Sequence, residues 1–206
     1  MLRRRPAFAL LALAVAGCAA PEPPAPESRP LAYLDRSQEA WIEDFREPDR
    51  ARRDAAVAAM EAMGPETAPR LAAELESPDA DVRYAALTAL ARFEREALPA
   101  ADAAAARLSD PDASVRAQAA WVLHRIGPDA GPAATGALTS ALDDPDWYVR
   151  WRAATALGAY GAEAAWPATV DRLRAMQRRD RNAQVRAASG VAADRIVDDA
   201  RRRRLR

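Results

Sequence analysis

The 206-residue chain carries 30 basic and 30 acidic side chains, every basic one an arginine, with one histidine and one cysteine. Lysine-based Schiff-base and phosphate-loop chemistry is therefore excluded, as are an internal disulfide and a conventional His/Cys zinc site, and no basic surplus points to general nucleic-acid binding. Half of the residues are apolar but only 6% are aromatic, an alanine-rich balance that favours close-packed helices and leaves about 170 residues for one domain once the amino terminus is set aside.

Residues 1–17 have the three-part build of an export signal: Arg3, Arg4 and Arg5, an apolar run over 7–16, then small residues at a cut site. The apolar run is too short to span a bilayer, which takes about 20 residues. Removing residues 1–17 takes away three arginines and no acid, so the mature chain is slightly acidic. Val15-Ala16-Gly17-Cys18 resembles the bacterial lipobox. That resemblance implies cleavage before Cys18, acylation of its sulfur, and commonly of the new amine. Each buried methylene contributes about 0.8 kcal/mol, so two or three chains anchor durably. The alternative is a plain secretory signal with an incidental cysteine. Ala19 stands where enteric inner-membrane lipoproteins carry aspartate, which favours the outer membrane, facing the periplasm. Residues 18–33 include Pro21-Glu22-Pro23-Pro24-Ala25-Pro26, an extended polyproline spacer.

Beyond the spacer the sequence repeats. Pro78-Asp79-Ala80-Asp81-Val82-Arg83, Pro111-Asp112-Ala113-Ser114-Val115-Arg116 and Pro145-Asp146-Trp147-Tyr148-Val149-Arg150 align without gaps, with looser copies ending at Arg53 and Arg186. The five arginines are 30, 33, 34 and 36 residues apart, a spacing that fits one helical hairpin per copy. Apolar residues recur three, seven and ten positions after each arginine: Ala86, Leu90 and Phe93; Ala119, Leu123 and Ile126; Ala153, Leu157 and Tyr160. With the residue before the arginine they span about 80° of a helix, one buried stripe. Ser77, Asp110 and Asp144 precede prolines and read as N-caps, while Gly64, Gly127 and Gly161 read as left-handed helix ends. First helices are expected near 34–46, 66–75, 96–108, 130–142 and 163–177, with Pro69 and Pro99 in early turns.

This pattern resembles the HEAT repeat family in its short bacterial form, over 34–200. The resemblance implies an all-α fold, an α-α superhelix or solenoid of about five helical hairpins, with residues 201–206 as a basic tail. It also implies that aspartate and arginine of neighbouring units interact along the stack, which makes Asp79, Asp112 and Asp146 with Arg83, Arg116 and Arg150 a structural ladder. Terminal copies depart from the pattern, with Ala51-Arg52 and Arg181-Asn182, as capping units do.

Opposite the stripe, positions one, five and eight after the arginines hold Tyr84, Trp121, His124 and Trp151, with Thr88 and Thr155 between them and Arg92, Arg125 and Arg152 flanking. Such residues are favoured interface anchors, and they form the expected partner-binding patch; the alternative is that the tryptophans fold back over alanine-rich grooves as packing. His124 has no nucleophile or acid at a suggestive spacing, so no catalytic site is expected. Asp143, Asp144 and Asp146 lack EF-hand spacing and read as a solvated, capping turn. Arg201, Arg202, Arg203, Arg204 and Arg206 read as a solvated helix end, with anionic lipid or nucleic-acid phosphate as alternatives. The expectation is an anchored scaffold or adaptor of the cell envelope that binds another protein or peptide without a cofactor. Direct binding of glycan or lipopolysaccharide is the second reading, and an enzyme of the HEAT-like lyase or glycosylase type the third.

Overall fold

The computed structural model describes residues 36–205, which lie within one compact unit, Tyr33–Arg206. The expected export signal, Cys18, the expected proline-rich spacer and Arg206 lie outside the described residues. Among the described residues there are ten α-helices and no strand, joined by short 3-10 turns. They form five hairpins: α1 Gln38–Glu43 with α2 Arg50–Met63, α3 Ala68–Glu74 with α4 Ala80–Arg92, α5 Ala101–Ala106 with α6 Ala113–Ile126, α7 Gly131–Ser140 with α8 Trp147–Tyr160, and α9 Pro167–Arg179 with α10 Ala183–Arg204. The first helices fall where the sequence places them, with 3-10 turns completing several of the expected spans.

The second helices pack in series, α2 on α4, α4 on α6, α6 on α8 and α8 on α10, and the first helices make a second row. The stripe explains why. Val82, Val115, Val149 and Val185, Ala86, Ala119 and Ala153, and Leu90, Leu123 and Leu157 are all fully buried. Alanine at the third position lets neighbouring helices approach, and leucine fills the space between them. In α10 the third position is Ser189, whose buried hydroxyl finds no partner. In α2 the residue before the arginine is the exposed Arg52, ion-paired to Glu47 at 3.3 Å, as suits an end unit.

The capping and ladder roles differ from the expected assignment. Asp79, Asp112 and Asp146 are the N-caps, and their carboxylates accept from the backbone N–H of Asp81, Ser114 and Tyr148. The acids two positions earlier carry the ladder. Arg83 Nε and Nη2 donate to Asp110 at 2.8 Å each, Arg116 to Asp144 at 2.7 and 3.0 Å, and Arg150 to Asp180 at 2.8 and 3.0 Å. The cap bonds the first turn of its own helix, whereas the acid two positions earlier meets the arginine of the preceding unit. Each ladder arginine turns its Nη1 to two carbonyls of its own loop, as Arg83 does to Ser77 and Pro78 at 2.8 and 3.0 Å. Arg53 makes the same loop bonds, but Ser77 stands where a ladder acid would, so the bidentate series begins at Arg83.

The helix-ending glycines also differ in detail. Gly64 and Gly127 have φ of 98° and 82° with ψ of 175° and −163°, an extended glycine-only region rather than the expected left-handed cap. At the equivalent place in the second unit stands Glu94, the one non-glycine residue with positive φ among those described. The basic tail is no separate segment, because α10 runs on through Arg204 and Arg203 reaches back to Glu163 at 2.6 Å.

Candidate functional site

The outward positions of α6 and α8 build a stack of rings and guanidinium groups. Trp121 and His124 lie one turn apart on α6, at a spacing that sets side chains side by side, and their rings stack with centroids 4.9 Å apart. From α8, the Arg152 guanidinium lies 4.3 Å from the Trp121 ring centroid and also faces Tyr148 at 5.0 Å and Trp151 at 5.6 Å. Tyr148 stacks on Trp151 at 5.6 Å, and its hydroxyl accepts a 2.6 Å bond from Arg152. Each cation–ring contact of this kind contributes on the order of 0.5–2 kcal/mol, more where water is excluded. Trp121 and Trp151 are half-buried against the core, so each both packs and keeps part of its surface open.

Two grooves open along the second helices. One, about 580 Å³, runs between α8 and α10; its walls are His124, Tyr148, Trp151 and Arg195, and its floor is made of small residues such as Ala154 and Gly158. The other, about 770 Å³, lies between α2 and α4 and mixes charges, with Arg50, Asp54, Glu61 and Arg92 around Tyr84. The expected patch is therefore divided. Trp121, His124, Arg125, Arg152 and Trp151 come together, whereas Tyr84 and Arg92 belong to the second groove, with Tyr84 exposed and Arg92 3.8 Å from Glu61. Tyr148 and Arg195 belong to the site and are absent from the expected set. The signal for Tyr148 was present, since it lies three and four residues before Trp151 and Arg152 on one helix.

Two polar atoms of the stack lack partners. His124 Nδ1 and Arg152 Nε are buried with no hydrogen-bond acceptor or donor opposite them. Arg125 pairs with Glu94 and Arg195 with Asp199 at 4.0 Å, but Arg152 has no carboxylate partner among the described residues. Burial, reinforced by the charges of Arg125, Arg152 and Arg195, pushes the His124 imidazole below its ordinary range and holds it neutral.

The other singled-out groups are occupied structurally. Asp143 lies 3.3 Å from Arg172, Asp144 serves the ladder and Asp146 caps α8; no cluster of three metal-binding side chains occurs among the described residues.

This arrangement defines an all-α superhelix of HEAT-like repeats. A family model described as HEAT repeats matches residues 101–193. Comparison with curated proteins finds no match. Among solved structures, one chain of the complex of CpcE and CpcF of phycocyanin lyase from Nostoc sp. PCC7120 is similar at 24% identity and TM-score 0.63, over 75% of this chain and 96% of that one. An engineered protein is similar at 22% identity and TM-score 0.59, over 79% and 80%. A designed armadillo repeat protein in complex with the peptide (KR)4 is similar at 18% identity and TM-score 0.58, over 76% and 80%.

Proposed function

We propose that this chain is a membrane-anchored scaffold or adaptor of the bacterial cell envelope, which holds a protein or peptide partner against the face lined by the second helices. The observation that carries the reading is the Trp121–Arg152–Trp151 stack beside an open apolar groove. Tryptophan, tyrosine and arginine supply most of the energy of typical interfaces, and this stack holds them in place before any partner arrives. The repeat architecture supports it: the designed armadillo neighbour holds a peptide and the phycocyanin lyase neighbour is part of a two-chain complex. Anchoring rests on Cys18 and its lipobox-like context, with the outer membrane, periplasmic side, as the preferred location. The activity proposed for this stack of rings and guanidinium groups is binding of a partner.

Trp121→Ala combined with Trp151→Ala is expected to lower capture of the partner from envelope extracts at least tenfold while the helical circular dichroism persists. Unchanged capture by a folded double variant contradicts the reading. Cys18→Ser is expected to release the chain from membranes into the soluble fraction. Direct binding of glycan or lipopolysaccharide is favoured by one observation, the arginine set on aromatic faces, and would show as salt-sensitive binding with no protein recovered.

A further inference from the structure

Resting on the reading of the chain as membrane-anchored, we infer that the loop between α9 and α10 is a docking edge for an anionic phospholipid surface, with a headgroup phosphate seated on the open fork of Arg186. Arg186 is the fifth of the repeat arginines. Its Nη1 donates to the Asp180 and Arg181 carbonyls at 2.9 and 3.2 Å, the same loop bonds that orient Arg83, Arg116 and Arg150. In those three the Nε and Nη2 edge grips an aspartate of the next unit, whereas the same edge of Arg186 has no partner among the described residues. The two free oxygens of a phosphodiester present the geometry of the carboxylate they would replace.

The loop around Arg186 also departs from the charge of its counterparts. Four copies enter the second helix with Pro48-Asp49, Pro78-Asp79, Pro111-Asp112 and Pro145-Asp146; the fifth has Arg181-Asn182. Arg178 and Arg179, in the last turn of α9, suit the negative end of that helix, but Arg181 stands just before the cap of α10, at a positive end where a cation opposes the dipole. Helix stability therefore accounts for the first two and not for the third. All three are exposed, with no carboxylate partner among the described residues. The acids of this loop and the adjoining one are committed: Asp180 to Arg150, Asp143 to Arg172, Asp144 to Arg116 and Asp146 to the cap of α8. Arg53 also lacks a ladder acid, but it shares its groove with Asp54 and Asp81, which repel an anion. Trp147 favours a membrane surface over a free phosphate. It is 41% exposed in the first turn of α8, where three copies have Ala80, Ala113 and Ala183, and it lies one turn before Arg150, which grips Asp180 in the loop itself. Tryptophan settles at the boundary between headgroups and acyl chains, and arginines beside it pair with anionic headgroups. Anchoring supplies the local concentration that makes so small a contact effective.

The test reconstitutes the full chain with vesicles of phosphatidylcholine alone or mixed with phosphatidylglycerol, carrying an environment-sensitive fluorophore on Ala183→Cys beside the loop or, as a control, on Ala55→Cys, exposed on α2. The label at position 183 is expected to shift to the blue only with phosphatidylglycerol and to return as salt rises, while the label at position 55 shifts with neither. Arg178→Gln, Arg179→Gln and Arg181→Gln together, all at exposed positions, should abolish the shift. Arg186→Lys should weaken it, because the charge is kept and the fork is lost. An equal shift with neutral vesicles, or a shift that survives the triple substitution, would overturn the docking edge. A shift that Arg186→Lys leaves unchanged would take the phosphate off Arg186. If phosphatidylglycerol gives no shift while inorganic phosphate or a short oligonucleotide binds in a manner that depends on Arg186, the lipid surface falls. Flotation separates this inference from the reading beneath it. A chain that floats with neutral vesicles and shows no shift with phosphatidylglycerol keeps its anchor and loses the docking edge, whereas one that needs phosphatidylglycerol to float keeps the edge and loses the anchor.

Discussion

Asp110 and Asp112 stand two positions apart in one loop, and one faces the preceding repeat while the other faces its own helix. The side chain of Asp110 is 1% exposed and sits against Arg83, 7% exposed. Burial alone would raise its pKa, but the bonds from Arg83 and the Asp112 backbone N–H, with the charges of Arg83 and Arg107, outweigh it and hold the carboxyl below its ordinary range. Its contribution is thus present above about pH 4 and is lost as pH falls through the lower folded value. Asp110→Ala leaves Arg83 buried without its partner and is expected to cost about 3–5 kcal/mol, against about 1 kcal/mol for loss of the cap in Asp112→Ala. Denaturant unfolding of both variants checks the order; equal losses would put both residues in one role. The sequence showed the aspartate–arginine pattern but not which aspartate does which job, because both acids recur at a fixed spacing from the arginine. His124 gives a second residue-scale test. Its imidazole is pushed down by burial and by neighbouring arginines, so the unfolded chain binds the proton first. Stability from the neutral ring is complete above about pH 6.5 and declines as pH drops below it. The thermal midpoint should fall on acidification through that window, and His124→Gln should flatten the fall.

At the scale of helices, register and partners followed from the apolar period, whereas helix ends did not. The recurring alanine and leucine positions are buried in every central copy, so the stripe was legible from spacing alone. Helix ends depend on backbone angles that composition only hints at. Gly127 marks the distinction: a Cβ there would meet nothing within 4 Å, but its φ of +82° lies in glycine territory. Gly127→Ala is therefore expected to destabilise by about 1–3 kcal/mol through backbone strain without any clash, and a neutral result would contradict the conformation assigned to that end. Gly158 answers to a different constraint, since a Cβ would stand 3.0 Å from that of Ala192 and would force α8 away from α10 along the groove. Nothing in the repeat pattern flagged it, because close approach is a property of the pair of helices rather than of either one.

Across the whole molecule, the outward offsets that placed the expected patch also map the grooves. Applied to the end copies, the same offsets reach the groove-lining Asp54, Ala58 and Glu61 on one side and Ala187 and Val191 on the other, while the last offset there falls on Asp194, which pairs with Arg174 instead. The face was therefore legible as a face. Its division into an aromatic–arginine stack and a separate polar groove was not, because that depends on how Arg152 folds over the neighbouring helix onto Trp121. The central claim is that partners engage this face rather than the row of first helices. A photocrosslinking residue placed at Val191, on the groove rim, and another at the exposed Ala133 of α7 tests it in intact cells. The account predicts one discrete crosslinked partner from position 191 that Trp151→Ala removes, and none from position 133. Equal crosslinking from both positions, or a partner from position 133 alone, would contradict it.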